Sequence, residues 1–213
     1  MIFVPDPAIL AAYLAGTFII VMTPGPDMTY FLGCTMRQGK MAGVAAMVGA
    51  LSGVLVHAML VALGLSALLV TSPRLFFILK VAGALYLLWL AIDAIRHGSV
   101  LSVNAGSRRV QSLGRIWLQG AGIDLLNPKV VLFFMTFLPQ FVSANDPHST
   151  GKFLFLGVVY AIATFVLSLP IILAADQFTN WFKKNPRATR VLDWVFAGVF
   201  STFAVRILVA SRN

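Results

Sequence analysis

Three ionisable side chains, Asp27, Asp124 and Lys129, fall near the middle of long apolar stretches. A charge at the centre of a bilayer costs at least about 2.5–3.5 kcal/mol, so such a group faces a protein interior and has a partner or a function there. Each lies in a proline motif. Thr23-Pro24-Gly25-Pro26-Asp27 interrupts the apolar run Ala8–Gln38, and Asp124-Leu125-Leu126-Asn127-Pro128-Lys129 interrupts Gly114–Val142. A helix broken at such a place frees N–H and C=O groups that lipid cannot satisfy; a polar ligand, an ion, water or neighbouring protein must do so. Half-helices starting at Pro26 and Pro128 aim free N–H groups and a positive dipole end at the break, which suits a carboxylate. Carbonyls closing the preceding half-helices, near Met22 and Leu126, suit an ammonium or a cation. Gly25 lets a ligand approach the backbone closely. Opposed ends of both signs fit a zwitterion, and a free amino acid is the simplest. Two acids and one base leave one negative charge for a proton, a sodium ion or a substrate ammonium to neutralise. The bland alternative is a salt bridge from Lys129 to Asp27 or Asp124 that only holds two halves together.

The elements that must position these groups are membrane spans. Of 213 residues, 59% are hydrophobic and 11% charged, with a mean hydropathy of +0.90; a soluble domain carries about 25% charged residues. An all-α integral membrane protein is predicted. Six spans are expected, at roughly 8–38, 42–70, 75–97, 114–142, 150–178 and 188–210. The Ser/Gly/Arg-rich stretch 98–113 then links a first three-span repeat, 1–97, to a second, 114–213. Residues 8–22 alone reach only about 22 Å at 1.5 Å per residue, short of the ~30 Å hydrocarbon core. Joined to 26–38 they cross it, with the break near the centre, and span 4 behaves alike. Ala8–Met22 crossing by itself, with Asp27–Arg37 along the interface, is the other way to seat the segment. A shift of 104 positions lays Pro24 on Pro128 and Gly53 on Gly157. Duplicated halves of three spans insert with opposite orientation, which is an inverted repeat of the kind transporters use.

Sixteen Lys/Arg against seven Asp, with no Glu, give a net charge of +9. The basic residues gather in short loops, so they orient the chain and meet anionic lipid headgroups; no nucleic-acid partner is expected. Ten fall on the side of Arg37, Lys40, Arg96, Arg108 and Lys183, five on the side of Arg74 and Lys152. The richer side is cytoplasmic by this rule, and both termini face outward. The first residues lack a positive n-region, so the first apolar segment is expected to persist in the mature protein. Cys34 is the single cysteine, which excludes an internal disulfide.

Other residues are candidates for the pathway. His57 lies mid-span on a stripe with Gly49, Gly53, Leu60 and Gly64, read as a close packing face; His57 itself is either a buried hydrogen-bonding group or a proton-coupling one. Span 5 carries a matching stripe, Gly157, Ala161, Thr164 and Ser168. Tyr86 sits at the centre of span 3. Asp93, Asp176 and Asp193 fall near cytoplasmic ends, and Trp117, Trp181 and Trp194 fit an interfacial belt. No Walker, HExxH or GxSxG motif is present, so no enzyme, metal or cofactor is expected and a gradient must supply the energy. An aspartyl dyad of Asp27 and Asp124 lacks the Gly-x-Gly-Asp context of an intramembrane protease. A monovalent cation or proton transporter with Asp27 and Asp124 as ligands is the rival reading. The small-residue stripes are compatible with a homodimer.

Several motifs together resemble the LysE/RhtB family of amino-acid exporters. They are Thr23-Pro24-Gly25-Pro26-Asp27, Gly64-Leu65 closing a Gly-rich second span, Gly83-Ala84-Leu85-Tyr86-Leu87-Leu88, Asn127-Pro128-Lys129, Phe133-Phe134 and Phe137-Leu138-Pro139-Gln140-Phe141. The resemblance covers almost the whole chain. It implies a multi-pass carrier of the bacterial inner membrane that exports amino acids or close derivatives, such as threonine, homoserine, leucine or a basic one, by proton antiport. It also implies functional roles for Pro24–Asp27 and Asn127–Lys129. Asp124 departs from the family pattern, where Asn is often found. The direction of transport comes from the resemblance only.

Overall fold

The computed structural model describes residues 3–65, 110–143 and 146–185, with single helical positions within 78–92 and 187–205. No strand occurs among the described residues. Helix α1, Pro7–Met22, opens under the Asp6 carboxylate, which accepts the Ala8 N–H at 2.9 Å. It closes at Thr23, whose N–H and hydroxyl both go to the Ile19 carbonyl. Pro24 and Pro26 have no N–H with which to continue the ladder, and α2, Pro26–Gln38, restarts with Pro26 at its first position after an extended Gly25. The two axes meet at 53°. Helix α2 ends at Gly39, whose φ of 88° is a left-handed conformation that glycine adopts without strain.

Helix α3, Lys40–Leu60, runs on through a π turn, Val61–Leu65. Helix α4, Leu113–Leu125, is capped by Ser112, and α5, Pro128–Leu132, by Asn127. A π turn at Phe133–Phe137 and a 3-10 turn at Leu138–Phe141 prolong α5. Pro139 cannot donate to the turn before it, and this change of helix type re-routes the orphaned carbonyls. The α4 and α5 axes meet at 52°. Helix α6 is Ser149–Leu173 and α7 is Ala175–Lys184.

Among the described residues, two helices are long and apolar enough to cross a membrane, Lys40–Gly64 and Ser149–Leu173, or four spans result if each bent pair is one. Spans 3 and 6, the linker segment 98–109, Tyr86, Asp93 and Asp193 lie outside the described residues, apart from isolated helical positions. Span 5 is corrected: it stops at Leu173, and residues expected in the loop 179–187 begin inside a second helix, α7. Met28 and Leu32 of α2 cluster with Ile171 and Ala175, with Phe178 packed alongside, so α7 docks on α2.

The two bent pairs run antiparallel. Phe3, ahead of α1, meets the His148 ring, and the Tyr13 hydroxyl donates to the Leu156 carbonyl at 2.9 Å. At the far end of α2, the Gln38 amide donates to the Gln111 carbonyl at 3.3 Å and accepts the Gln111 N–H, just ahead of α4. The chain of α1 and α2 thus starts where the second pair ends and ends where it starts. With 16 and 13 residues, α1 and α2 measure about 24 and 20 Å, and at their bend span roughly 40 Å, more than a hydrocarbon core.

Glycine brings α3 onto α4. A side chain at Gly49 would collide with the Trp117 carbonyl, and one at Gly120 with the Ala46 carbonyl. Backbones approach this closely only between small residues. The expected stripe therefore packs at Gly49, Gly53 and His57, while at its end Leu60 is 62% exposed and a Cβ on Gly64 would meet nothing among the described residues. Behind the breaks lies an aromatic core of Tyr13, Phe133, Phe134, Phe137, Phe153 and Tyr160.

Candidate functional site

The breaks meet. The Lys129 ammonium lies 3.3 Å from Asp27 Oδ1 and donates to the Thr23 carbonyl at 3.1 Å, across more than 100 positions of chain. Each partner is where its helix favours it. Asp27 stands in the first turn of α2, at the positive end of that helix, and Thr23 closes α1, whose free carbonyls attract a cation. The side chains of Lys129 and Asp27 are only 9% and 14% exposed. Gly25 makes room for them: a Cβ there would sit 2.8 Å from Asp27 Oδ1 and 2.9 Å from Lys129 Nζ. Asn127 caps α5, its Oδ1 accepting the Lys129 N–H at 3.1 Å, while its buried Nδ2 has no partner.

Thr23, Pro24, Gly25, Pro26, Asp27, Asn127, Pro128 and Lys129 thus form one locus. Of the two partners open to Lys129, Asp27 holds it. The carbonyl end of α1 is occupied by the Lys129 ammonium, and Leu126 is exposed at the other break. Asp124 does not line the meeting point. It is 1% exposed and directed at α3, where a Cβ on Gly53 would come within 2.7 Å of its Oδ2. That oxygen has no hydrogen-bond partner. His57, one turn beyond Gly53, faces the Asp124 backbone and stacks on Phe134 at 5.8 Å; its Nε2 is also unpartnered.

Tyr160, which sequence reasoning passed over, is buried on α6 one turn from Thr164 and lies within the electrostatic reach of both Asp27 and Asp124. Its place between Gly157 and Thr164, on the face already singled out, was the available signal. Thr164 is buried with its hydroxyl toward that of Tyr160. Tyr30 and Gln119 were passed over too. The Tyr30 hydroxyl lies 3.1 Å from the Ile116 carbonyl and 2.9 Å from Gln119 Oε1, tying α2 to α4.

An open cavity of about 720 Å³ follows this α2–α4 seam. Pro26 and Asn127 line it at the breaks, Tyr30, Gln119 and Gly122 along its length, and Arg37 and Gln111 toward the end of α2. Its size falls among small-molecule sites. Polar groups from both helices converge on it, and it ends at the two motifs.

Comparison with known proteins agrees in kind. The family model described as LysE type translocator matches residues 18–211. The chain belongs to the LysE family. It is 29% identical over 202 residues to a homoserine/homoserine lactone efflux protein of Salmonella typhimurium, covering 95% of this chain and 96% of that one. It is 28% identical over 195 residues to a leucine efflux protein of Salmonella choleraesuis, covering 92% of each. No solved structure matches it. As a LysE-family member the chain is a membrane transporter and not an enzyme.

Proposed function

We propose that this LysE-family chain exports a small zwitterionic amino acid across the cytoplasmic membrane, in exchange for protons, by alternating access around the two breaks. The observation that carries the reading is the Asp27–Lys129 ion pair at the meeting of the breaks, beside the cavity of α2 and α4. A zwitterion offers both partners of that pair. Its carboxylate takes the place of Asp27 on Lys129, and its ammonium takes the place of Lys129 on Asp27. Charge is conserved at each step, so the substrate enters a low-dielectric site without a net charge to desolvate. Asn127 Nδ2 offers a further donor to the carboxylate. The efflux relatives, named for homoserine and homoserine lactone or for leucine, support a small amino acid or close derivative and outward transport.

The cavity reaches Arg37 and Gln111, the side that the count of basic residues assigns to the cytoplasm, which supports loading from inside. The same count supports six spans in two inverted halves with both termini outward. Against the rival cation carrier, Asp27 already holds an ammonium and has less to offer a metal. The test is counterflow of radiolabelled amino acids in proteoliposomes. Asp27→Asn is expected to insert and fold, less stable than the parent, while exchange by the folded fraction falls by at least tenfold; parental exchange in that variant removes Asp27 from the mechanism.

A further inference from the structure

We propose that Asp124 and His57 form the proton site of this carrier, distinct from the Asp27–Lys129 locus that meets the substrate. The inference rests on the transport reading above and deepens it. Orientation separates the two places. Gly122, Ile123, Leu126 and Asn127 of the same stretch line the cavity, whereas the Asp124 carboxyl is directed at α3 against Gly53, and His57, one turn along α3, meets the Asp124 backbone. Asp124 Oδ2 and His57 Nε2 are both buried and both without a hydrogen-bond partner. A buried polar atom left so in a native fold calls for an explanation. Protonation of Asp124 supplies it, since a neutral carboxyl buries no charge, and the neutral His57 Nε2 is an open acceptor on the facing helix.

Charge balance asks for the same proton. The titratable and charged groups near enough to act on Asp124 are Asp27 from α2, Lys129 from α5 and Tyr160 from α6, with His57 from α3 at its backbone. Lys129 is spent on Asp27 and the Thr23 carbonyl. With Asp124 ionised the group carries one uncompensated negative charge in an apolar surround, and a proton removes it. On release the O–H bond at Oδ2 breaks. As the helices shift and bring the two side chains together, the proton passes to the Nε2 lone pair of His57, giving an imidazolium and a carboxylate, and from there to water. Gly53 keeps this contact possible, because any side chain there strikes the carboxyl group. A zwitterionic substrate adds no net charge, so the proton alone makes transport respond to a pH gradient.

The test uses the full chain in proteoliposomes, with Asp124→Asn, His57→Gln and the conservative Asp124→Glu. For each, labelled leucine and homoserine are followed in exchange at equal pH and in uptake with a pH gradient, together with substrate-driven proton flux by an entrapped dye. Asp124→Asn and His57→Gln are expected to lose the gradient response, the ratio of uptake with and without the gradient falling to about one, and to lose proton flux, while exchange continues at a reduced rate. Asp124→Glu restores part of the response. A parental gradient response in either variant overturns the assignment. So does loss of exchange in folded, monodisperse Asp124→Asn, which moves Asp124 into the substrate site. If Asp124→Asn does not fold, His57→Gln decides by the same ratio and by its pH profile, a parental profile counting against. Failure of the parent chain to exchange any amino acid sinks the transport reading instead.

Discussion

Replacing Lys129 by glutamine leaves the Asp27 carboxylate inside the bundle without its ion-pair partner and strips the Thr23 carbonyl of its donor. At 3.3 Å and an effective dielectric constant of about 20, the attraction alone is worth about 5 kcal/mol. Desolvation of both groups opposes it, and removing one partner of such a buried pair costs about 3–5 kcal/mol. The double variant Asp27→Asn, Lys129→Gln removes both charges and escapes most of that penalty. A double-mutant cycle therefore returns a coupling energy of about 2–3 kcal/mol, the double variant being less destabilised than the sum of the singles. The measurement is unfolding in mixed micelles with increasing denaturing detergent, followed by tryptophan fluorescence. The exchanged pair, Asp27→Lys with Lys129→Asp, sharpens it. Opposite charges still meet, but the cation now sits in the first turn of α2 and the anion at the carbonyl end of α1. Each mismatch costs about 0.3–1 kcal/mol, so stability recovers in part. Transport does not, because substrate carboxylate and ammonium then face the wrong ends. A coupling below about 0.5 kcal/mol means that the two side chains do not interact in the membrane, and the geometry of the site is refuted.

Gly25→Ala drives a methyl group against both members of the pair and is expected to lower exchange at least tenfold while the chain still inserts; parental rates would mean that the pair is not near Gly25 in the working carrier. Gly53→Ala strikes the Asp124 carboxyl group, whereas Gly64→Ala meets open space; the first should lower the unfolding midpoint and the second leave it within ~0.5 kcal/mol of the parent, since surface changes away from special features rarely exceed that. Gly122→Trp fills the α2–α4 cavity and should block exchange, and a cysteine at position 122 in a Cys34→Ala background should react with a polar thiol reagent from the cytoplasmic side and be protected by substrate. Labelling from the outside only would reverse the orientation. In the connection before α6, the hydrogen-bonded Lys152 ammonium, and then the His148 N–H, hold the Asp146 carboxyl below the usual carboxylate range. A depressed folded value stabilises above the unfolded one, near ~3.9, and the gain is lost as pH falls through the folded value. Lys152→Met should move the Asp146 titration, read by carboxyl NMR, up toward ~3.9, and an unmoved midpoint contradicts the pairing.

Local chemistry was legible in the chain itself. A proline at the first helical position, an Asn or Gly before it and a run of apolar residues on each side are enough to break a helix, because the missing N–H acts within one turn. The membrane setting, both breaks and the burial of Asp124 and Lys129 follow from that and from the scarcity of charge. Partnership was not legible. Lys129 stands two residues beyond Asn127 and five beyond Asp124, yet it reaches across to Asp27, because α4 carries Asp124 round toward α3 while the bend at Pro128 aims Lys129 at the end of α1. Sequence distance carries no information about such rotations. The same reason hid Tyr160, which only the packing of α6 brings near Asp27 and Asp124. Composition and proline spacing thus determined that this chain lives in a membrane with two interrupted helices. Only the packing of those helices decided which buried charge meets which, because that depends on the angles at which the four half-helices cross.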